Sequence, residues 1–70
     1  MVTGGSGFIG RNIVKLLKEE GNTVATLDIR DKNSSADYHI MADVRNIHKV
    51  QSACKGIDHV FHLAAVTFAT

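Results

Sequence analysis

Cysteine and proline are nearly or wholly missing from this 70-residue chain, which has Cys54 alone and no proline. A single cysteine excludes an internal disulfide framework, so we expect a reducing, cytoplasmic setting. The absence of proline excludes a proline-rich linker. An excess of one charge is also missing, because eight basic and seven acidic side chains give a formal net charge of +1. That balance does not favour a nucleic acid or an anionic membrane surface as partner.

Long hydrophobic runs are absent as well. The longest apolar run, from Val60 to Val66, includes His62 and is too short to cross a bilayer. The N-terminus has neither a basic region nor a long apolar stretch, so we predict no signal peptide. Hydrophobic residues still make up 44% of the chain, which is ordinary for a globular protein. The size allows at most one small domain with a marginal core.

Glycine is concentrated in one segment, Thr3–Gly10, which reads TGGSGFIG. Gly4, Gly7 and Gly10 form a G-x-x-G-x-x-G pattern. An early glycine allows a tight turn after a strand, Gly7 lets a diphosphate approach the backbone, and Gly10 lets the following helix pack closely on a sheet. The N–H groups and the positive dipole end at the start of that helix favour phosphate. The alternative for an isolated glycine pattern is a structural turn without a ligand.

The rest of the chain alternates between strand and helix patterns. Such alternation predicts an α/β fold, a Rossmann-like parallel sheet with flanking helices, truncated to about four strands and two helices. The fourth strand is almost continuously apolar, which is typical of a strand covered on both faces. The predicted strands are Met1–Thr3, Thr23–Asp28, Tyr38–Ala42 and Asp58–Ala64, the predicted helices are Phe8–Glu20 and Asn46–Lys55, and a polar loop covers Ile29–Asp37.

Asp28 ends the second predicted strand, 21 residues after Gly7. This offset is close to that of the carboxylate that binds the ribose hydroxyls of a dinucleotide. Such an acid favours NAD and repels the 2′-phosphate of NADP, so NADP is the less favoured cofactor. Arg30 lies near enough in sequence to reach a phosphate, and a solvated acid at a strand end is the alternative for Asp28.

Other reactive side chains do not form a second pattern. His59 and His62 are three apart on a predicted strand and point to opposite faces, so we predict no metal site. We expect His62 to lie in the sheet core with a hydrogen-bond partner. We expect Cys54 to pack on a helix face.

With these residues identified, the chain resembles the NAD-dependent epimerase/dehydratase family, the extended short-chain dehydrogenases/reductases. The resemblance lies in four segments that span nearly the whole chain in the expected order. These are Thr3–Gly10, Leu27-Asp28, Ala42–Arg45 (ADVR) and Asp58–Ala65 (DHVFHLAA).

The resemblance implies roles for further residues. Phe8 and Ile9 would offer backbone N–H groups to the diphosphate. Asp43 would hydrogen-bond the adenine amino group and Val44 would flank the ring. For Asp43, a helix-start acid without a ligand is the alternative.

Two more groups of residues follow from the resemblance. Leu63, Ala64 and Ala65 would line the cofactor near its diphosphate and nicotinamide ribose, with plain strand-end packing as the alternative. Asn33 and Ser34 fall where related epimerases contact the adenosine.

The chain departs from the family at both ends. The family's catalytic Ser/Thr and Tyr-x-x-x-Lys would lie beyond Thr70, and the single tyrosine, Tyr38, is followed four residues later by Ala42. We therefore predict no catalytic residue and expect Tyr38 to pack. Only Met1 and Val2 precede the glycine segment, so we expect stable folding to need the rest of the domain or a partner chain.

Three functions remain open at this point. The resemblance implies that residues 1–70 are the N-terminal part of a NAD(P)-binding Rossmann domain, without a substrate domain. In the first, this part serves an epimerase, dehydratase or reductase that transfers hydride on a nucleotide sugar or a similar alcohol or ketone. The others are a non-catalytic dinucleotide-binding module and an inert truncated fragment.

Overall fold

A computed structural model describes residues 1–64 of the chain. The described part is an α/β unit with one parallel sheet in the order β3-β2-β1-β4. This arrangement confirms the predicted Rossmann-like class with four strands and two helices. The strands are β1 (Val2–Thr3), β2 (Ala25–Asp28), β3 (Tyr38–Met41) and β4 (Phe61–His62), and the helices are α1 (Phe8–Glu19) and α2 (Ile47–Ala53).

The core consists of two clusters, one on each face of the sheet. The alternation of side chains along β2 and the residue before it divides them, because Val24 faces one cluster while Ala25 and Leu27 face the other. One cluster contains Val14 of α1 and the second is packed by residues of α2, so the helices cover opposite faces. As a result, the segment from β1 into α1 and the segment from β3 into α2 both begin at the carboxyl edge of the sheet.

The side of α1 that packs on the sheet is centred on two residues. Gly10 and Val14 are the buried residues of the helix, whereas Ile9 is 65% exposed. The reason is the close contact at Gly10, which turns that side of the helix onto the sheet and leaves Ile9 beside it. The helix ends near Gly21, whose φ of +88° is the left-handed conformation that glycine adopts easily.

The fourth strand is shorter and more exposed than predicted. The prediction of cover on both faces is wrong for the described residues, since Val60 and Phe61 are 49% and 43% exposed. The physical reason is position, because β4 is an edge strand whose only neighbour in the described part is β1. His62 is likewise exposed rather than in the core, although it has the expected hydrogen-bond partner.

Two further packing predictions are wrong. Cys54 is exposed because α2 ends at Ala53 and the cysteine is its C-terminal cap. Tyr38 is 64% exposed because it begins β3, the strand at the other edge of the sheet. Neither helix in residues 1–64 is long and apolar enough to span a bilayer.

Candidate functional site

A cleft of about 620 Å³ opens at the carboxyl ends of the strands. Its volume lies in the usual range for small-molecule sites, and the carboxyl edge of a parallel sheet is where such sites form in open α/β folds. Three parts of the chain meet there: the glycine turn with the start of α1, the ends of β2 and β3, and the residues after β4. The lining residues are Gly4, Gly7, Phe8, Ile9, Gly10, Leu27, Asp28, Ile29, Arg30, Ala42, Asp43, Val44, Arg45, Leu63 and Ala64.

Most residues predicted from the sequence as cofactor contacts lie in this cleft. The structure brings together Gly4, Gly7, Phe8, Ile9, Gly10, Asp28, Asp43, Val44, Leu63 and Ala64. Asn33 and Ser34 are not among the lining residues. The Asn33 amide donates to the Ser6 carbonyl oxygen at 3.4 Å and the Ser34 hydroxyl accepts from the Ala36 N–H at 3.3 Å, so both brace the loop after β2. Ala65 lies outside the described residues.

The glycine turn is packed too tightly for side chains at two positions. Gly4 has a φ of +71°, and a Cβ there would lie 2.9 Å from the Ala64 nitrogen. A Cβ on Gly10 would overlap the Gly4 carbonyl oxygen and lie 2.9 Å from the Gly5 Cα. The turn is fixed to β2 by a hydrogen bond from the Gly4 N–H to the Leu27 carbonyl, at 2.8 Å. These contacts hold the turn against the strands on both sides.

The start of α1 faces the cleft with unsatisfied donors. Gly7 is the N-terminal cap and supplies no side-chain hydrogen bond. Among residues 1–64, the N–H groups of Phe8, Ile9 and Gly10 have no acceptor, because the first turn bond of the helix begins at Arg11. A Cβ on Gly7 would meet only the tip of Arg30, at 3.2 Å, and the Gly4 oxygen, at 3.5 Å. Free N–H groups that follow a glycine at the start of a helix form an arrangement suited to binding a phosphate.

Asp28 lies directly beside this turn. Its Oδ2 accepts from the Ser6 N–H at 3.1 Å, and the Ser6 hydroxyl donates to the Asp31 carbonyl at 2.6 Å. Arg30 binds the same carboxylate, with its backbone N–H and Nε donating to Oδ1 at 3.0 and 3.1 Å and its Nη2 donating to Oδ2 at 3.2 Å. The glycine turn and the acid are therefore joined by direct hydrogen bonds.

The environment of Asp28 favours the charged carboxylate. Burial alone would raise the pKa of its carboxyl group, but the hydrogen bonds from the Arg30 side chain and from the Arg30 and Ser6 N–H groups outweigh that effect. The pKa of Asp28 is therefore lowered. The site holds a negative charge at neutral pH, beside the positive end of α1.

The same local pattern recurs at the end of β3. The Arg45 N–H donates to Asp43 Oδ1 at 2.9 Å, and the Arg45 guanidinium donates to both carboxylate oxygens, the shortest bond being 2.6 Å from Nη2 to Oδ2. These hydrogen bonds, led by those of the guanidinium, lower the pKa of Asp43 to about 2. The Asp43 side chain is more open, 35% exposed against 4% for Asp28.

Thr3 fixes the third wall of the cleft. Its Oγ1 accepts from the N–H groups of Leu63 and Ala64, at 3.1 and 3.3 Å, and lies 2.8 Å from Nδ1 of His62. A hydroxyl has one proton and two lone pairs, so the Thr3 proton is donated to His62 Nδ1. One buried hydroxyl thus ties the end of β4 to β1.

Several lining residues were not predicted as site residues from the sequence. Leu27, Ile29 and Ala42 carry no chemical signal, because they enter the lining through their position at strand ends. Arg30 and Arg45 did leave a signal in the sequence, since each stands two residues after an acid. Asp28 is the last residue of β2, and Asp43 lies two residues beyond the end of β3. The repeated Asp-x-Arg pattern would have identified both arginines.

The comparisons with known proteins agree on one family. The model of the NAD dependent epimerase/dehydratase family matches residues 1–69. A 3-beta-hydroxysteroid dehydrogenase of Mycolicibacterium neoaurum is 39% identical over 69 residues, which are 94% of this chain and 19% of that protein. A GDP-mannose 3,5-epimerase of Oryza sativa subsp. japonica is 33% identical over 70 residues, 91% of this chain and 18% of that protein.

A solved structure has the same fold. The crystal structure of a short-chain dehydrogenase/reductase superfamily protein from Agrobacterium tumefaciens, with bound NAD, superposes with a TM-score of 0.84 at 28% identity. The match covers 99% of this chain and 21% of that one. The chain thus spans about a fifth of the length of the relatives it matches.

Proposed function

This chain belongs to the NAD-dependent epimerase/dehydratase family, and on that premise we propose that its cleft binds NAD. The diphosphate lies against the N–H groups of Phe8, Ile9 and Gly10, and Asp28 accepts hydrogen bonds from the adenosine ribose. The observation that carries the proposal is the hydrogen bond between the Ser6 N–H and Asp28, at 3.1 Å. It holds the phosphate-binding turn and the ribose-binding acid in one rigid unit.

The charges of the cleft suit the two parts of the cofactor separately. The three bare N–H groups and the dipole of α1 attract the negative diphosphate, as at other helix N-termini that bind phosphate. The Asp28 carboxylate, charged at neutral pH, accepts from neutral hydroxyls and repels a 2′-phosphate. This difference favours NAD over NADP.

The outer residues of the cleft complete the site. Asp43 accepts from the adenine amino group and Val44 flanks the ring, while Leu63, Ala64 and Ala65 line the path toward the nicotinamide. Asn33 and Ser34 shape the loop near the adenosine. Asp43, Val44, Leu63 and Ala64 line one common cleft, which supports their assignment. The hydrogen bond from Asn33 to the glycine turn supports its assignment to the adenosine end.

In this proposal the residues of this chain bind and orient the cofactor, and residues in the rest of the protein carry out the reaction. We propose that residues 1–70 are the N-terminal part of the cofactor domain of an epimerase, dehydratase or reductase acting on a nucleotide sugar or a similar alcohol or ketone. Bound NAD would supply hydride acceptance. The exposed β4 edge is where the remaining domain or a partner chain completes the fold, and the single exposed cysteine, Cys54, suits a cytoplasmic setting.

Calorimetric titration of the chain with NAD tests the proposal. Asp28→Asn keeps the size of the side chain and removes its charge, so it should weaken NAD binding about ten-fold or more, the loss of a charge-assisted hydrogen bond. Asp58→Asn is the matched control, because Asp58 is exposed and lies outside the cleft. Equal affinities of the two variants, or no heat with a wild-type chain that is folded by far-UV circular dichroism, would contradict NAD binding at this cleft.

A further inference from the structure

The Asp28 carboxylate has no vacant acceptor position. A carboxylate offers about four lone-pair sites. Here Oδ1 accepts from the Arg30 N–H and Nε, and Oδ2 accepts from the Ser6 N–H and Arg30 Nη2. The side chain is only 4% exposed. A ribose therefore cannot bind Asp28 until some of these donors leave.

The four donors differ in how easily they move. Two are backbone groups, the N–H of Ser6 in the glycine turn and the N–H of Arg30, whose position the chain fixes. The other two are Nε and Nη2 of the Arg30 guanidinium, and the Arg30 side chain is 61% exposed. The guanidinium is also the group that lies closest to the open side of Gly7, at 3.2 Å from a Cβ built there. It covers both the acid and the surface at which the diphosphate arrives.

We propose that the Arg30 guanidinium is an internal competitor of the cofactor ribose for Asp28 and thereby narrows the preference for NAD over NADP. This inference rests on the proposed binding of NAD. The 2′- and 3′-hydroxyls of NAD replace Nε and Nη2, while the Ser6 and Arg30 N–H groups stay in place. The displaced guanidinium remains beside the 2′ position, because its backbone does not move.

Competition of this kind gives opposite effects for the two cofactors. With NAD, Arg30 gives up a fork of two hydrogen bonds and regains none from the neutral hydroxyls. With NADP, the guanidinium binds the 2′-phosphate, which offers the bidentate geometry that arginine prefers. Arg30 therefore weakens NAD binding and strengthens NADP binding. The preference for NAD over NADP is then smaller than Asp28 alone would give.

The test compares Arg30→Met with Lys32→Met. Both changes remove one positive charge from the same loop, but Lys32 is exposed and outside the cleft lining. We expect Arg30→Met to bind NAD about two- to five-fold more tightly than Lys32→Met does, the range of an exposed ion pair. NADP affinity should fall about ten-fold or more. Arg30→Lys, which keeps the charge without the fork, should bind NAD with intermediate affinity.

A spectroscopic measurement on the wild-type chain reports the displacement directly. The ¹⁵N resonance of Arg30 Nε should shift on addition of NAD. If wild-type protein binds NAD but Arg30→Met binds it no more tightly than Lys32→Met, or if Arg30 Nε does not shift, the competition is overturned and NAD binding stands. If the wild-type chain binds no NAD, both proposals are overturned.

Discussion

Replacing Gly10 by alanine should destabilise the chain, although alanine is the better helix former. Gly10 is the third residue of α1, and helix propensity alone would make the change stabilising by about 1 kcal/mol. The structure predicts the opposite sign. The new Cβ would overlap the Gly4 carbonyl oxygen and lie 2.9 Å from the Gly4 carbonyl carbon and the Gly5 Cα. All three are backbone atoms.

The backbone at this contact is held in place by its neighbours. The Gly4 N–H is bonded to Leu27 at 2.8 Å, and Gly5 rests on the buried side chain of Thr26. Overpacking of this kind typically costs about 1–3 kcal/mol, which exceeds the gain from propensity over most of that range. Because the clash is with backbone atoms that are held in place, we take the upper part of that range, about 2–3 kcal/mol. After the propensity gain, we expect Gly10→Ala to lower the free energy of unfolding by about 1–2 kcal/mol, measured by urea unfolding with far-UV circular dichroism.

Two matched variants make the result interpretable. Lys15→Ala, at an exposed position of α1, reports helix propensity without a contact at the turn. Gly7→Ala meets only the mobile tip of Arg30 at 3.2 Å and the Gly4 oxygen at 3.5 Å, so it should leave stability within about 0.5 kcal/mol. It should nevertheless weaken NAD binding, because its Cβ stands where the diphosphate approaches. A Gly10→Ala chain as stable as wild type would show that the turn is not packed as described.

Two other expectations can be checked with the same methods. Thr3→Val removes the hydroxyl that holds the N–H groups of Leu63 and Ala64, so it should weaken NAD binding, while Thr3→Ser should restore it; equal affinities would contradict the role of the hydroxyl. The pKa of Asp37 is lowered, first by its hydrogen bond with Lys18 and then by the Val24 N–H. The contribution of Asp37 to the free energy of unfolding is present above the unfolded-state pKa of about 4. It is lost as the pH falls toward the lower folded-state pKa. Asp37→Asn should therefore reduce the fall of the urea midpoint below about pH 4, and an unchanged pH profile would exclude this contribution.

Local signals in the sequence were sufficient to predict the glycine turn and the acid beside it. The glycine spacing at Gly4, Gly7 and Gly10 follows from close backbone contacts, and the structure shows those contacts at Gly4 and Gly10. The offset to Asp28 follows from the length of one helix and one strand, so its position beside the turn was also predictable. Both inferences depend on segments that are contiguous in the chain.

Predictions that depend on neighbours across the fold were less successful. An apolar run such as that around Phe61 indicates burial, but it does not say which elements cover the strand. In the described residues β4 is an edge strand, so the run is partly exposed. Tyr38 was misplaced for the same reason, because β3 is the strand at the other edge of the sheet. Cys54 was misplaced because α2 ends at Ala53, two residues before the predicted end of the helix.

The hydrogen bonding of Asp28 could not be predicted from the motif alone. The motif predicts that the acid is a ribose ligand but says nothing of the donors that bond to it in the structure. That the Arg30 guanidinium fills half of the lone pairs of Asp28 depends on a side-chain conformation. The Asp-x-Arg pattern at residues 28–30, and again at 43–45, nevertheless shows that such a pair is available.

The most direct measurement is a two-dimensional ¹⁵N–¹H spectrum of the chain during titration with NAD. We expect the largest shifts at the amides of Phe8, Ile9 and Gly10, which have no acceptor among residues 1–64, and at the Ser6 amide bonded to Asp28. The amides of α2, outside the cleft, should stay in place. Shifts confined to α2, or saturation with NAD that leaves the start of α1 unchanged, would show that the glycine turn does not hold the diphosphate.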